Sequence, residues 1–260
     1  MTNIVREHYD HLLADHYEWM FGVSFESKVD EQKALLSRVA GPALSNELAV
    51  DLGCGSGFQS MALNDLGYRV LAVDLSEKLI ATFASRIGTR DIILNLGDLM
   101  QLRKFVAPAS AALVVCMGDT LTHLPSTIEV SELFKRVSQV LVPGGRFVVT
   151  WRDLAAHEPT GLDRFILVRS DDQRIMTCCL EYAPDTVMVN DLIYVRDAGG
   201  TWTLNKSSYQ KLRLSLAWVH NAICDAGLTV EAASDGRLAL LSATKGPSRR
   251  PLLCAPHQNI

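Results

Sequence analysis

Apolar and polar residues follow each other along the chain in a pattern that predicts helices and strands in turn. Two amphipathic helices come first, over residues 2–21 and about 29–39, and Gly41-Pro42 ends the second. From residue 48 onward, short apolar runs alternate with amphipathic stretches, as in a parallel sheet covered by helices. This part predicts five strands, over 48–52, 68–73, 91–94, 111–117 and 146–151.

The pattern changes after residue 151. Four strand-like stretches follow without helices between them, and turn-forming residues such as Ala183-Pro184-Asp185 separate them. We expect an antiparallel meander here, with strands over 164–169, 174–182, 186–196 and 201–214. A helix over 215–226 and two last strands, over 229–233 and 237–244, then resume the first pattern.

These elements predict an α/β protein with a doubly wound, mostly parallel seven-stranded sheet. The sheet carries an N-terminal helical cap and an antiparallel β insertion after the fifth strand. The predicted units are a cap over residues 1–42, the main α/β domain over 43–154 and 215–245, and the insertion over 155–214, as a substrate lid or interface. Residues 246–260 are predicted to form a flexible tail.

Composition and charge narrow the function. The 260 residues are 48% hydrophobic and 21% charged, which is typical of a soluble globular protein. The net charge is −4 with no basic block, which argues against a nucleic-acid partner. No apolar run reaches membrane-spanning length and no signal-peptide pattern is present, so we expect a cytoplasmic protein without a membrane partner. The six cysteines contain no C-x-x-C pair, and nothing in the sequence requires a metal.

A glycine-rich turn follows the first predicted strand. Asp51 lies in that strand, and Gly53, Gly55 and Gly57 follow at steps of two. Glycines allow the backbone to curl and a ligand to approach, and the helix start beyond them offers unpaired N–H groups. The spacing differs from the G-x-G-x-x-G of nicotinamide-binding turns, because Phe58 stands three residues after Gly55.

The stretch from Val50 to Gly57 resembles the first motif of class I methyltransferases that use S-adenosylmethionine (SAM). Asp74 ends the second strand, where an acid can accept hydrogen bonds from ribose hydroxyls. In the resembled family, an acid at the position of Asp98 contacts the adenine amino group. The resemblance implies SAM as the cofactor of the main domain, with these cofactor-binding residues: Asp51, Gly53, Cys54, Gly55, Asp74, Leu75, Asp98, Leu99, Cys116, Met117 and Gly118.

The loop after the fourth strand bears on the substrate. It lacks the Asn-Pro-Pro-aromatic motif of methyltransferases that modify nucleic-acid bases. It looks like the G-N-S-x-x-H-L of glycine- and sarcosine-type N-methyltransferases, with Asp119 in the place of Asn. His123 is either a base or a polar wall, and Arg152 either holds a substrate carboxylate or phosphate or pairs with an acid. The candidate catalytic residues are His123, Arg152 and Tyr17, and the candidate substrate-binding residues are Tyr9, Trp19, Asp119, His123, Trp151 and Arg152.

We therefore predict a methyltransferase that transfers the methyl group of SAM to N, O or S of a small molecule by in-line displacement. A pocket closed by the cap and the meander suits a small acceptor. The alternatives are a protein methyltransferase, a non-catalytic SAM-binding module on the same fold, and, against the turn spacing, a nicotinamide oxidoreductase. The oligomeric state stays open, with a homodimer among the options.

Overall fold

The computed structural model describes residues 3–235 and 238–247. Within these residues the strands are β1 (Leu48–Leu52), β2 (Arg69–Asp74), β3 (Ile92–Leu96), β4 (Ala111–Cys116), β5 (Leu141–Trp151), β6 (Phe165–Ser170), β7 (Arg174–Tyr182), β8 (Thr186–Arg196), β9 (Trp202–Leu212), β10 (Leu228–Asp235) and β11 (Ala239–Lys245). The helices are α1 (Asn3–His8), α2 (Phe25–Val39), α3 (Phe58–Asp65), α4 (Glu77–Ala84), α5 (Leu102–Phe105), α6 (Thr127–Val140) and α7 (Leu216–Asp225).

The larger sheet has the strand order β10-β11-β5-β4-β1-β2-β3. Its first five strands along the chain run parallel, and β11 lies antiparallel between β5 and β10. Successive residues of β1 face opposite sides, so Val50 packs in the core under α6 and α7, whereas Ala49 packs in the core under α2 and α3. The predicted doubly wound sheet of seven strands is confirmed.

The N-terminal cap differs from the single helix predicted over 2–21, of which residue 2 lies outside the described residues. The α-helix ends at His8, and the chain continues as a π-helical turn over Tyr9–Leu13 and as 3₁₀ turns over Ala14–His16 and Trp19–Phe21. Leu12 and Leu13 pack against the insertion, whereas Tyr17 and Phe21 pack beside the glycine turn. Because its backbone is irregular, the N-terminal segment can pack against both the insertion and the glycine turn.

Two boundaries in the main domain also differ from the prediction. Helix α2 begins at Phe25, one turn before residue 29, because the hydroxyl of Ser24 accepts a hydrogen bond from the Ser27 N–H at 3.1 Å and caps it. Strand β5 begins at Leu141, five residues before the predicted start, because Leu141 already pairs with Ala111. A register shift follows before Arg146, and Gly144, with φ of +80°, lies within the shifted stretch.

The insertion is a separate antiparallel sheet of order β6-β7-β8-β9. Three hydrogen bonds tie its two ends together, and we call this place the neck. The Trp151 Nε1–H donates to the carbonyl of Leu214 at 2.8 Å, and the Leu216 N–H donates to the Asp153 carboxylate at 2.9 Å. The Arg213 Nε–H donates to the carbonyl of Leu154 at 3.2 Å. The insertion therefore leaves and re-enters the main domain at one point.

Three predictions or parts of them lie outside the described residues. They are the tail from residue 248 onward, the turn at Gly236, and the start of the last strand at Arg237. No helix in the described part of the chain is long and apolar enough to cross a membrane.

Candidate active site

The turn between β1 and α3 is built by three glycines in the left-handed region, with φ of +77° at Gly53, +55° at Gly55 and +98° at Gly57. A Cβ added at Gly53 would lie 2.3 Å from the Thr120 side chain, and one at Gly57 would lie 2.3 Å from the Phe83 ring. These two glycines therefore permit close packing around the turn. A Cβ at Gly55 would instead point at the hydroxyl of Tyr17, 3.3 Å away, on the wall of a cleft.

This cleft has a volume of about 520 Å³, which includes the solvent at its mouth. It lies at the carboxyl ends of the parallel strands, where ligands bind in open α/β sheets. One wall comes from the main sheet and its loops and contains Gly53, Gly55, Val73, Asp74, Leu75, Ser76, Leu79, Gly97, Leu99, Thr120 and His123. The opposite wall comes from the cap and contains Val5, Arg6, Tyr9 and Tyr17.

Two of the predicted acids lie near the glycine turn: Asp74 is on the cleft wall, and Asp51 is behind it. Asp74 accepts hydrogen bonds from the N–H groups of Gly55 and Ser76, each at 2.8 Å, and burial raises the pKa of this carboxyl although both bonds oppose the rise. Asp51 is buried behind the turn and accepts a 2.6 Å bond from the Ser60 hydroxyl. Burial raises the pKa of Asp51 to about 7.

The third predicted acid shapes the cleft through its neighbours. Asp98 accepts a 2.9 Å bond from the Met100 N–H and thereby caps the 3₁₀ turn over Leu99–Gln101. Because of this cap, Leu99 presents its buried side chain to the cleft beside Gly97. Leu75, next to Asp74, lines the same region.

Polar aromatic groups lie at the end of the cleft near β4. The Tyr9 hydroxyl and His123 Nε2 are 3.3 Å apart, and the two rings meet edge to face. Burial, helped by the positive charge of Lys211, lowers the pKa of His123 to about 3, so the imidazole is neutral at pH 7. Burial also raises the pKa of Tyr9 and of Tyr17, and both phenols stay protonated.

Asp119 is the most strongly bonded residue of the loop after β4. Its Oδ1 accepts bonds from the Arg152 N–H at 3.0 Å and the Thr122 hydroxyl at 3.2 Å, and its Oδ2 pairs with the Lys211 ammonium. The Arg152 guanidinium Nε is 4.0 Å from the same oxygen. Burial alone would raise the pKa of Asp119, but the charges of Lys211 and Arg152 outweigh burial and hold it below its ordinary range.

The structure places other predicted site residues away from the cleft wall. Trp151 has no exposed surface, because its indole packs in the core and donates to the Leu214 carbonyl. Trp19 bonds to Asp171 at 2.6 Å and lies under two guanidinium groups, at the contact between the cap and the insertion. The predicted residues Cys54, Cys116 and Met117 are buried in the core, and the Gly118 N–H donates to the Thr150 hydroxyl.

Among the residues at the site that the sequence analysis missed are Thr120, Tyr209 and Lys211. Tyr209 and Lys211 are two residues apart on β9, so both side chains project to the same face of the insertion. The sequence around them, Lys206 to Leu212, is mostly polar, so no apolar alternation indicated that this face is buried. In the described residues, no group of three His, Cys, Asp or Glu side chains lies close enough to hold a metal ion.

Comparison with known proteins agrees with this geometry. Residues 49–145 match a family described as a methyltransferase domain. The chain is 33% identical over 97 residues to a putative methyltransferase, YqeM, of Bacillus subtilis, covering 37% of this chain and 38% of that protein. It is 25% identical over 181 residues to the glycine N-methyltransferase of Mus musculus, covering 64% of this chain and 62% of that protein. The chain thus matches less than two thirds of the length of each relative.

A solved structure extends the likeness to most of the fold. The SAM-bound structure of CalS10, an amino pentose methyltransferase from Micromonospora echinaspora, superposes with a TM-score of 0.72 at 18% identity. The match covers 90% of this chain and 96% of CalS10, and at this identity it shows a shared fold. Residues 49–145, which contain the glycine turn and the acids, are therefore similar to a methyltransferase domain, and the chain shares the Rossmann-like fold of a SAM-bound class I methyltransferase.

Proposed function

We propose that the protein transfers the methyl group of SAM to a nitrogen, oxygen or sulfur atom of a small molecule. The observation that carries this proposal is the one cleft in which the glycine turn, Asp74 and Leu99 lie together with Tyr9 and His123. SAM supplies a methyl group that is already activated on a sulfonium. The protein must therefore bring the acceptor close and align it, which is where most of the rate gain arises.

The cleft residues fit the parts of SAM by their chemistry. Gly55 carries no Cβ where one would narrow the cleft toward Tyr17, which leaves room for the methionine part beside the turn. The carboxylate of Asp74, on the wall of the cleft, suits the ribose hydroxyls, since a carboxylate can accept hydrogen bonds from both. Leu75 and Leu99 provide apolar walls for the adenine ring.

His123 suits the acceptor end of the cleft. Its Nδ1 makes no hydrogen bond within the described residues, and its Nε2 faces the Tyr9 hydroxyl. Because the lowered pKa leaves this imidazole neutral, it can accept a hydrogen bond from an N–H or O–H of the acceptor and direct the acceptor's lone pair at the methyl group. The same low pKa makes it a weak base, so orientation is its main role.

A small amine is the acceptor that the relatives favour. The mouse relative is named for N-methylation of glycine, and CalS10 is named for an amino pentose. The cap forms one wall of the cleft and packs against the insertion, and a cleft enclosed in this way suits a small molecule more than a folded protein. Arg152, half-exposed beside Asp119, remains the proposed contact for an acidic group of the acceptor.

Isothermal titration with SAM and with S-adenosylhomocysteine tests the cofactor site. We expect Asp74→Ala to weaken SAM binding by at least about a hundredfold, because it removes two charge-assisted hydrogen bonds. Asp172→Ala is the matched control, since Asp172 is exposed in the turn between β6 and β7. Equal binding by the Asp74 variant and the wild type would refute the site.

A screen of small amines, amino acids, phenols and thiols for release of S-adenosylhomocysteine tests the acceptor. Turnover on amines would support the proposal in full. Turnover on phenols or thiols alone would replace the amine by another acceptor class. Binding of SAM without turnover on any of them would refute a small-molecule acceptor and favour a protein substrate or a SAM-binding module.

A further inference from the structure

We propose that Lys211, on strand β9 of the insertion, is a positioning residue that acts through Asp119 on His123. This inference rests on the methyl transfer proposed above and extends the site beyond the SAM-binding domain. It makes the insertion a working part of the active site, because the insertion supplies the cation on which the loop after β4 depends.

A series of polar contacts connects Lys211 with the turn that carries His123. Lys211 Nζ pairs with Oδ2 of Asp119. Asp119 then holds the turn that carries His123, since its carbonyl accepts bonds from the Thr122 hydroxyl at 2.8 Å and from the Thr122 N–H at 3.2 Å. The 3₁₀ turn over Thr120–His123 starts directly after Asp119, so a shift of Asp119 moves His123.

The ion pair is shielded from water, so neither charge is stable alone. The side chain of Lys211 is 11% exposed and that of Asp119 is 19% exposed. Arg152, the other cation near Asp119, is half-exposed, and its Nε is 4.0 Å from the carboxylate. When one partner of a shielded pair is removed, the remaining charge must find water or another partner, which displaces the segment that carries it. Removal of both charges avoids this displacement.

Several groups face His123 from different elements. Tyr9 comes from the cap, His8 from α1, Tyr209 and Lys211 from β9, and Asp119 from its own loop. Among them, the positive charge of Lys211 opposes protonation of the imidazole, whereas the negative charge of Asp119 favours it. Lys211 thus acts on His123 in two ways: it anchors Asp119, and its charge adds to burial in lowering the pKa of the imidazole.

A double-mutant cycle separates this role from simple packing. The variants are Lys211→Met, Asp119→Asn and the double variant, in which an amide oxygen can still accept the Arg152 N–H while both charges are gone. Lys206→Met is the matched control, because Lys206 is exposed on the same strand. The measurements are kcat and KM with an accepted substrate, affinity for S-adenosylhomocysteine, and the NMR titration of the His123 ring, identified with a His123→Gln variant.

We expect each single variant to lower kcat at least about tenfold, because a small displacement of an aligning group is costly in methyl transfer. We expect the double variant to recover to within about threefold of the wild type, and S-adenosylhomocysteine affinity to stay unchanged throughout. In Lys211→Met, the titration midpoint of His123 should rise by at least about one pH unit, and in the double variant it should return toward the wild type. Lys206→Met should match the wild type in every measurement.

A double variant no more active than the single variants, or a His123 titration that Lys211→Met leaves in place, would overturn the inference. The first result would show that Lys211 touches the substrate itself, and KM would then rise equally in Lys211→Met and the double variant. If no acceptor turns over in the wild type, the proposed function fails. The NMR titration still decides the role of Lys211, so the two failures are distinguishable.

Discussion

Substitution of Gly55 by alanine tests the cleft with a single added methyl group. Gly55 has φ of +55° and a new Cβ there would lie 3.3 Å from the Tyr17 hydroxyl and 3.4 Å from its ring. The ring has little room to move, since Tyr17 meets Phe21 edge to face and stacks on Phe58. The methyl group would therefore narrow the cleft at the place proposed for the methionine part of SAM.

Two costs are expected and can be separated. An L-residue in the left-handed region costs about 1–2 kcal/mol, which should lower Tm by about 2–6 °C in a protein of this size. The added methyl group in a filled cleft costs about 1–3 kcal/mol more when SAM is bound, or about a 5- to 150-fold loss of affinity. Gly88→Ala carries only the first cost, because Gly88 has φ of +60° and nothing lies within 4 Å of the Cβ position.

Thermal unfolding and isothermal titration with SAM on the two variants give the answer. Both variants should lose similar stability, and only Gly55→Ala should lose SAM affinity. If Gly55→Ala binds SAM as tightly as the wild type, the ligand does not pass beside the turn. If Gly88→Ala loses as much SAM affinity as Gly55→Ala, backbone strain explains both losses. The experiment would then not support SAM binding beside Gly55.

Two further predictions concern charge and packing. Burial raises the pKa of Asp51 to about 7, whereas a carboxyl in the unfolded chain has a pKa near 4. Between these two values the folded state holds a proton that the unfolded state has released, so the wild type loses stability as pH rises from about 4 to 7. The stability of Asp51→Asn relative to the wild type should therefore improve by up to about 1.4 kcal/mol per pH unit between pH 5 and 7, and a pH-independent difference would contradict the pKa. Trp151→Phe removes the bond to the Leu214 carbonyl and should cost about 1–3 kcal/mol in unfolding experiments without changing SAM affinity. A loss of SAM affinity comparable to the loss of stability would place Trp151 in the site.

The glycine turn and the acid on the sheet side of the cleft were predictable because their signals are local in the sequence. The turn from Gly53 to Gly57 follows its strand directly, and Asp74 stands at the end of the next strand. Parallel strands bring such residues to one edge of the sheet whatever the rest of the chain does. The apolar runs of β1 and β4 also marked these two segments as buried strands.

The contacts around Asp119 and His123 were less predictable because they join distant parts of the chain. Lys211 and Asp119 are 92 residues apart, and their pairing depends on how the insertion lies against the loop after β4. Trp151 illustrates a different difficulty, since the last residue of a strand can face the core or the cleft, and the sequence does not distinguish the two. The cap carried an apolar pattern of helical period, but its two packing partners bend the backbone away from a regular helix.

The neck between Trp151 and Leu216 bears on how such a fold diversifies. Since three hydrogen bonds close the base of the insertion, changes of loop length or strand sequence beyond it leave the spacing of β5 and α7 untouched. The sequence of the meander can therefore change while the sheet that carries the glycine turn keeps its geometry. The face of β9 has less freedom, because Lys211 pairs there with Asp119 of the main domain.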